Sequence, residues 1–351
     1  MWGLLENICP QLPEVLLPWY EANKRDLPWR EDRDPYHVWL SEIMLQQTRV
    51  EAVKGYYTRF LQVLPTIADL ANAGDEQLHK LWEGLGYYSR VRNLKKAANV
   101  IVDLHGGVFP RKYEDVLALP GIGEYTAGAV CSIAFNQPTP AVDGNVLRVV
   151  SRLCNETTPI DNPAFKKAVH KKLAAIYPER AGDFTQALME LGATICGPNR
   201  KPDCENCPCN IFCKAYKNGT AEKLPVKTPK KDRRIEEKTV FILNCDGLYA
   251  LKKRPNKGLL AGLWQFPNIS GRLTVEETIC FLEQKGTKIR EIKRTVERKH
   301  IFTHIEWHMC GIYIDVRNAS EEYTWRTVEQ IREEAALPTA FRQFFEEIDN
   351  V

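Results

Sequence analysis

Four cysteines near the middle of the chain constrain its fold more than any other feature. Their spacing is C-x7-C-x2-C-x5-C, and they are Cys196, Cys204, Cys207 and Cys213. Thiolates at this density suit one compact site for a soft metal, either an iron–sulfur cluster or a zinc ion. Cys209 lies inside the same segment but off this spacing. Residues 196–213 are therefore predicted to form a metal-binding loop.

The overall composition indicates a globular chain with more than one domain. The length of 351 residues predicts two or three domains, and the shares of hydrophobic residues (44%) and charged residues (26%) are ordinary for folded proteins. The first ten residues contain Glu6 and no basic residue, which argues against a signal peptide. No apolar run approaches the roughly 20 residues that cross a bilayer. We expect a monomer without a membrane partner, in the cytoplasm or on the nucleoid.

Three segments differ in their residue patterns. Residues 1–222 are predicted to form an all-α domain, because apolar residues recur three and four positions apart. Residues 223–236 contain two prolines, six basic residues and two acidic residues, which predicts an extended, exposed linker. Residues 237–351 are predicted to form a separate α/β domain. Its predicted strands are Thr239–Asn244, Leu248–Lys252 and Met309–Val316, and its predicted helices are Thr274–Gln284 and Thr327–Glu334.

The run Leu119-Pro120-Gly121-Ile122-Gly123 separates two predicted helices. Gly121 and Gly123 permit a tight turn and a close approach of the backbone. The helix that begins near Glu124 would aim unpaired amide groups outward, and such helix N-termini bind anions. These residues predict a helix-hairpin-helix that binds a DNA phosphate. An ordinary turn between two helices is the alternative.

Asp143 follows this hairpin by twenty residues. Taken alone, it is expected to be the N-cap of the next helix, a position that Asp favours. The order of hairpin, aspartate and four cysteines, however, resembles the endonuclease III superfamily, and within it the adenine DNA glycosylases of the MutY type. The resemblance covers nearly the whole chain. It also rests on Trp29-Arg30, Ser41-Glu42-Ile43-Met44-Leu45-Gln46-Gln47-Thr48, Leu85-Gly86-Tyr87-Tyr88-Ser89-Arg90, Ala141-Val142-Asp143-Gly144-Asn145-Val146 and Glu190-Leu191-Gly192-Ala193.

The resemblance implies a fold, a cofactor and a function. The fold is an all-α helix-hairpin-helix glycosylase domain with a [4Fe–4S] cluster, followed by a C-terminal α/β domain similar to MutT (Nudix) proteins. The cluster is implied to bind Cys196, Cys204, Cys207 and Cys213, although the first spacing is one residue longer than in most of the family. The implied function is base excision repair: removal of adenine mispaired with 8-oxoguanine or guanine in double-stranded DNA.

Cutting adenine from deoxyribose requires protonation of the base and stabilisation of a cationic sugar, and two carboxylates with opposed tasks meet this need. The resemblance places the acid on Glu42, at N7 of adenine, and the cation stabiliser or transient nucleophile on Asp143, with Tyr125 and Asn145 orienting that site. Taken alone, Glu42 is expected to be a solvated glutamate within a helix that continues past it, with Gln46 and Arg49 on the same face.

One position separates two chemistries within the superfamily. Tyr125 stands where the related bifunctional enzymes carry a lysine nucleophile, and residues 119–150 contain no lysine. Since tyrosine cannot form a Schiff base, the resemblance implies a monofunctional glycosylase. A bifunctional glycosylase/lyase for oxidised pyrimidines is the alternative. A DNA-binding protein without catalysis and a Nudix hydrolase with a helical partner domain are two further alternatives.

The target adenine has to leave the base stack before a carboxylate reaches it. By resemblance, the base pocket is lined by Arg25, Trp29, Arg30, Leu45 and Gln186. The implied DNA-binding residues are Gln47, Thr48, Tyr87, Leu119, Gly121, Gly123, Phe302, Thr303 and His304. Without the resemblance, Tyr87 is expected to be a core residue and His304 a buried histidine.

The C-terminal domain contains Gly262-Leu263-Trp264-Gln265-Phe266-Pro267, which resembles the approach to a Nudix motif. The helix predicted over Thr274–Gln284 has Glu276 and Glu277 but not the R-E-x-x-E-E arrangement that holds metal in a nucleotide hydrolase, so no nucleotide hydrolysis is expected. In the family this domain recognises 8-oxoguanine through a loop that corresponds to Phe302-Thr303-His304. Most members have serine at the middle position, and Thr303 keeps the hydroxyl.

Overall fold

The computed structural model describes residues 8–198, 201–229 and 232–349. The N-terminal segment 1–7, residues 199–200 of the first cysteine spacing and residues 230–231 of the predicted linker lie outside the described residues. By their contacts, the described residues up to Asn72 group with Asn93–Pro229, and Ala73–Arg92 group with the residues after Pro229. The domain boundaries at residues 222 and 237 remain predictions.

The helical region contains, in order, α1 (Leu12–Asn23), α2 (Pro35–Leu45), α3 (Val50–Val63), α4 (Ile67–Asn72), α5 (Asp75–Leu81), α6 (Ser89–His105), α7 (Tyr113–Leu117), α8 (Glu124–Phe135), α9 (Gly144–Cys154), α10 (Pro163–Ala174), α11 (Ala181–Thr194) and α12 (Lys214–Lys217), with short 3-10 helices at Pro28–Arg30 and Ala221–Lys223. The remainder contains β1 (Arg234–Cys245), β2 (Leu248–Lys253), β3 (Trp264–Gln265), β4 (Asn268–Ser270), α13 (Val275–Gln284), β5 (Ile289–Ile301), β6 (Ile305–Val316), β7 (Thr324–Arg326), α14 (Val328–Glu334) and α15 (Thr339–Asp349).

The first unit is built around α1, α9, α10 and α11. Their apolar faces bury Leu16, Val150, Phe165 and Phe184 in one core, and the cysteine loop closes one side of it. Burial of a side chain such as Phe184 contributes about 2–3 kcal/mol relative to exposure. Helix α9, which begins directly after Asp143, is therefore held by a packed core on its apolar face. Within the described part of the chain, no helix combines the length and apolarity needed to cross a membrane.

The second unit is built around one sheet with the strand order β3-β2-β1-β6-β5, with β4 paired to β1 and β7 paired to β2. Strands β1 and β6 are parallel, and the other recorded pairs are antiparallel. Successive residues of β1 face opposite sides, so Ile242 packs with Phe341 of α15 and Phe241 packs in the cluster that contains Leu282 of α13. The sheet is thus covered by helices on both faces.

Sequence patterns predicted some of the strands of this unit and missed others. The strands predicted at residues 239–244, 248–252 and 309–316 exist but are longer, and β1 begins at Arg234, inside the predicted linker. Strand β5 was not predicted, because its exposed residues are mostly charged and hide the alternation of the half-buried ones. Phe302-Thr303-His304 forms the tip of the hairpin of β5 and β6.

Candidate active site

Glu42 is buried inside α2, and this corrects the expectation of a solvated glutamate. The side chain is 6% exposed, and the hydroxyl of Tyr125 donates a hydrogen bond to its Oε2. Burial raises the pKa of Glu42 to about 7, with the charge of Asp143 also raising it, while the Tyr125 hydrogen bond and Arg30 lower it. A carboxylic acid with this pKa is protonated in about half of the molecules at neutral pH and can donate that proton.

Helix α2 ends at Leu45, soon after Glu42. The expectation that Gln46 and Arg49 share a helical face with Glu42 is therefore wrong. Gln46 has already left helical geometry, and Gln47 has a φ of 59°. Helix α3 begins only at Val50. Gln47 is consequently exposed in a sharp turn at the end of α2, next to the helix that carries Glu42.

Asp143 caps the N-terminus of α9, as the sequence predicts. Its Oδ1 accepts a hydrogen bond from the backbone N–H of Val146 (2.7 Å), and its Oδ2 accepts one from Nδ2 of Asn145 (2.6 Å). Burial raises the pKa of Asp143, while these hydrogen bonds and the charge of Arg148 oppose the rise. The cap therefore fixes the orientation of the carboxylate and favours its charged form relative to burial alone.

Asn145 is itself held from two sides. The guanidinium of Arg148 donates to Oδ1 of Asn145 (2.8 Å) and to the carbonyl of Gly192 (2.7 Å). A Cβ atom at Gly192 would lie 2.6 Å from Cβ of Asn145, so only glycine allows α9 and α11 to approach this closely. The contact between Asn145 and Arg148 joins residues three positions apart, whereas the contacts with Gly192 join residues more than forty positions apart, and no local pattern predicts them.

A buried ion cluster lies among the residues predicted for the base pocket. Oε1 of Glu190 accepts from Nε of Arg25 (2.5 Å), and Oε2 accepts from Nη2 of Arg30 (2.7 Å). Glu190 belongs to α11 and its side chain is fully buried. Glu190 lies inside an apolar helical stretch, and a carboxylate in such a place needs a cationic partner when it is buried.

The other predicted pocket residues occupy different levels of burial. Trp29 is buried and packs edge-on against Tyr57, with 5.6 Å between ring centroids. Leu45 at the end of α2 and Gln186 on α11 are half-buried. Trp29 therefore supports the site from within the core, and the other two retain exposed surface.

The glycine-rich turn joins α7 and α8 as predicted. Gly121 has a φ of 78°, and a Cβ atom there would lie 2.5 Å from Cβ of Asn93, so glycine is required. Gly121 and Gly123 are exposed, whereas Leu119 is 3% exposed and packs beneath the turn. Any contact of Leu119 with a ligand is thus limited to its backbone. Helix α8 begins at Glu124 and carries Tyr125 toward Glu42.

The second unit brings together two residues that the sequence assigned separately. Tyr87 is 52% exposed, has a φ of 47°, and its hydroxyl lies 3.1 Å from Oγ1 of Thr303. Thr303 and His304 are exposed at the hairpin tip, so the alternatives of a core Tyr87 and a buried His304 are wrong. Phe302 is half-buried and packs edge-on against Trp307, with 4.8 Å between ring centroids. Phe302 thus anchors the tip.

The cysteine segment encloses a cavity. Its lining includes Cys196, Cys204, Cys207 and Cys213, together with Cys209 and apolar residues such as Leu153 and Leu191. Nη1 of Arg152 lies 3.1 Å from Sγ of Cys196. Within residues 8–198, 201–229 and 232–349, no group of three or more His, Cys, Asp or Glu side chains is arranged to hold a single metal ion. A cavity lined by these thiols, with a cation beside one of them, fits a group that thiolates ligate.

Comparisons with known proteins agree with this geometry. Residues 40–175 match the family of HhH-GPD superfamily base excision DNA repair proteins, and residues 239–347 match the NUDIX domain family. The adenine DNA glycosylase of Rattus norvegicus is 36% identical across 94% of this chain and 76% of that protein. That of Buchnera aphidicola subsp. Baizongia pistaciae is 34% identical across 88% of this chain and 87% of that protein.

A solved structure supports the fold of the helical unit. A trapped covalent intermediate of endonuclease III with DNA superposes with a TM-score of 0.51 at 25% identity, over 60% of this chain and 97% of that chain. The class is therefore a helix-hairpin-helix base excision repair protein joined to a Nudix domain. Within that class, the chain belongs to the family of adenine DNA glycosylases, which cleave N-glycosidic bonds.

Proposed function

We propose that this protein removes adenine mispaired with 8-oxoguanine, or with guanine, from double-stranded DNA by hydrolysis of the N-glycosidic bond, without cutting the strand. The observation that carries the proposal is the buried Glu42, with a pKa of about 7, next to the capped carboxylate of Asp143. The pair supplies an acid and an anion in one site at neutral pH. Glycosidic cleavage needs both groups.

Glu42 is the general acid. Adenine leaves poorly as an anion, so protonation at N7 lets the base take the electron pair of the N-glycosidic bond and depart as neutral adenine. The Tyr125 hydroxyl donates to Oε2 of Glu42, which orients the carboxyl group and leaves its other oxygen for the proton that is transferred. Burial supplies the raised pKa, because the charged form of Glu42 is poorly solvated there.

Asp143 stabilises the positive charge that develops on the sugar as the base departs. Its charged form is favoured by hydrogen bonds from Val146 and Asn145, so the carboxylate faces the reaction already oriented. Water then adds at the sugar carbon and completes the hydrolysis. No amine takes part, because Tyr125 stands where the bifunctional relatives carry lysine, and this favours hydrolysis over strand cleavage.

The remaining predicted residues hold the DNA. The exposed amides around Gly121 and Gly123 lie at the N-terminus of α8 and suit a backbone phosphate. Gln47 projects from a sharp turn and suits the space that a flipped adenine vacates. These placements support DNA as the partner of the helical unit.

Recognition of the base opposite adenine falls to the hairpin tip of the second unit. Thr303 and Tyr87 present two adjacent hydroxyl groups, 3.1 Å apart, on an exposed surface. Each hydroxyl group can donate or accept, so the pair can read the extra N7 hydrogen and the C8 oxygen that distinguish 8-oxoguanine from guanine. This arrangement supports a sensor for the oxidised base.

The family is of a type that carries iron–sulfur clusters, and the thiol-lined cavity suits a [4Fe–4S] cluster on Cys196, Cys204, Cys207 and Cys213. When bound, the cluster supplies structural cross-links that hold the loop of residues 196–213 against the helical core. Protein purified without oxygen is expected to absorb light at about 400 nm and to contain about four iron atoms per chain. A colourless protein that contains zinc instead would refute the cluster.

The proposed activity is tested with a duplex that contains a single adenine opposite 8-oxoguanine. Strand breakage at the adenine is expected only after alkali treatment, because excision leaves an abasic site and an intact backbone. Borohydride should trap little protein on the DNA, since no lysine attacks the sugar. Efficient trapping, or breakage without alkali, would contradict the monofunctional mechanism and favour the bifunctional alternative.

The same assay tests the sensor when guanine replaces 8-oxoguanine opposite adenine. Thr303→Ala should lower the preference for the oxidised lesion about fivefold to tenfold, since one hydrogen bond to the lesion is worth about 1 kcal/mol. Thr303→Ser keeps the hydroxyl group and serves as the matched control. An unchanged ratio in Thr303→Ala would remove the hairpin tip from recognition.

A further inference from the structure

We propose that Glu190 is a positioning residue for adenine excision, which holds Arg25 and Arg30 at the base pocket and balances their charge beside Glu42. The proposal rests on the proposed function, because it concerns the same reaction. It gives a specific task to the Glu190–Ala193 motif, which had none in the mechanism above.

The contacts of Glu190 fix both arginines at once. In addition to the bonds from Nε of Arg25 and Nη2 of Arg30, Oε2 of Glu190 accepts from Nη2 of Arg25 at 3.1 Å. The backbone N–H of Arg25 also lies 3.4 Å from Oε1. Arg25 therefore makes a two-pronged contact with the carboxylate, a geometry that fixes the direction of the guanidinium plane.

Arg30 is restrained further by its neighbours. Its Nη1 donates to the carbonyl of Arg25 at 3.0 Å, and its guanidinium lies 5.6 Å from the ring centroid of Tyr20. Its side chain is only 13% exposed, whereas that of Arg25 is 37% exposed. Arg30 is thus a largely desolvated cation that pairs with the Glu190 carboxylate.

One member of this cluster, Arg30, affects the pKa of the proposed acid, Glu42. Arg30 is one of the groups that lower the pKa of Glu42, and the other titratable groups acting on Glu42 are Tyr125 and Asp143. Burial alone would raise the pKa of Glu190, but the bonds and charges of Arg25 and Arg30 outweigh it and keep Glu190 ionised. Removing that negative charge leaves the positive charge of Arg30, which acts on Glu42, without the balancing charge of Glu190, and this favours loss of the Glu42 proton.

Glu190→Gln is the decisive variant, because glutamine has nearly the same shape without the charge. Single-turnover excision of adenine opposite 8-oxoguanine is measured at fixed ionic strength from about pH 6 to about pH 9. The rate of the wild-type protein should fall as the pH rises through the pKa of Glu42. In Glu190→Gln this fall should occur about one pH unit lower, with a rate about tenfold below wild type at pH 8 and within a few-fold at pH 6.

Glu190→Asp separates charge from geometry. It keeps the negative charge on a side chain one methylene shorter, so the fall of the rate should stay at the wild-type pH. The rate itself should drop about tenfold at every pH, since both guanidinium groups move away from their positions. This variant also carries the test if Glu190→Gln does not fold, and an excision rate within twofold of wild type would then overturn the proposal.

Glu21→Gln is the matched control. Glu21 on α1 pairs with Arg180, just before α11, but this pair is exposed to solvent. Its removal should leave both the rate and the pH at which the rate falls unchanged, because exposed ion pairs contribute little.

The outcomes separate this proposal from the proposed function. A wild-type protein that removes no adenine from this duplex would refute the proposed function itself. An active wild-type protein combined with a folded Glu190→Gln variant whose rate falls at the wild-type pH would refute the role of Glu190. Glu190 would then contribute to folding alone.

Discussion

Asp143→Asn is expected to lower the single-turnover rate of adenine excision about 10³-fold, while binding to the mismatched duplex persists. Asparagine has nearly the shape of aspartate, and its carbonyl oxygen can still accept the N–H of Val146, which keeps the start of α9 capped. The lost property is the negative charge that stabilises the cationic sugar. Alkali-treated single-turnover reactions measure the rate, and fluorescence anisotropy with labelled duplex measures the affinity.

Asp34→Asn is a suitable control for this variant. Asp34 caps α2 in the same way, accepting from the backbone N–H of Tyr36 at 2.8 Å, but it is exposed and lies outside the proposed site. It should excise adenine at a rate close to that of the wild type. Near wild-type excision by folded Asp143→Asn would remove Asp143 from the mechanism.

Glu42→Gln is expected to lower the rate about 10³-fold and to abolish the fall in rate that the wild type shows above pH 7. The acid works only when protonated, and burial places its pKa at about 7, so wild-type activity declines as the pH rises through that value. Glutamine has no proton to donate at any pH. The rate is measured in single-turnover reactions across the same pH range.

The same substitution should stabilise the fold at pH 8. Glu42 binds its proton more tightly when folded, with a pKa of about 7 against an ordinary 4.5, so its contribution to stability is lost as the pH rises from 4.5 through 7. A shift of this size corresponds to about 3 kcal/mol, and neutral glutamine avoids that loss. Thermal unfolding at pH 8 should therefore show a melting temperature at or above that of the wild type.

Glu124→Gln provides the comparison for Glu42→Gln. Glu124 precedes Tyr125 at the exposed start of α8, so the substitution alters charge without altering the acid. Its pH profile should match that of the wild type. A Glu42→Gln variant that keeps the wild-type pH profile would show that another group donates the proton.

Local sequence signals predicted the turn and the helix starts that position the site. The glycine-rich turn, the start of α8 at Glu124 and the capping by Asp143 depend on residues within a few positions of one another. Such features follow from backbone preferences, which the sequence displays directly. The order of these features along the chain then identified the family.

Contacts between residues far apart in the sequence could not be predicted from these local signals. The helix with Glu42 ends at Leu45 because the chain turns sharply at Gln47, a left-handed conformation that glutamine seldom adopts and that nothing nearby predicts. The burial of Glu42 depends on Tyr125, eighty-three positions away. The pairing of Glu190 with Arg25 joins residues 165 positions apart. Patterns of hydrophobicity do not report such partners, so these contacts required the structure.

The grouping of residues 73–92 with the second unit has a practical consequence. Nη1 of Arg92 donates to the carbonyl of Ala261, Oε2 of Glu76 accepts from the Trp264 indole, and Oε1 of Glu83 accepts from the N–H of Leu337. An expression fragment that stops at Pro229 would retain this stretch but delete every one of those partners. Trp82 is fully buried in the full chain and belongs to residues 73–92, which would lose these partners. Truncation at Pro229 would therefore produce an aggregation-prone fragment, and point substitutions at the hairpin tip are the better test of whether excision and the proposed recognition of the lesion can be separated.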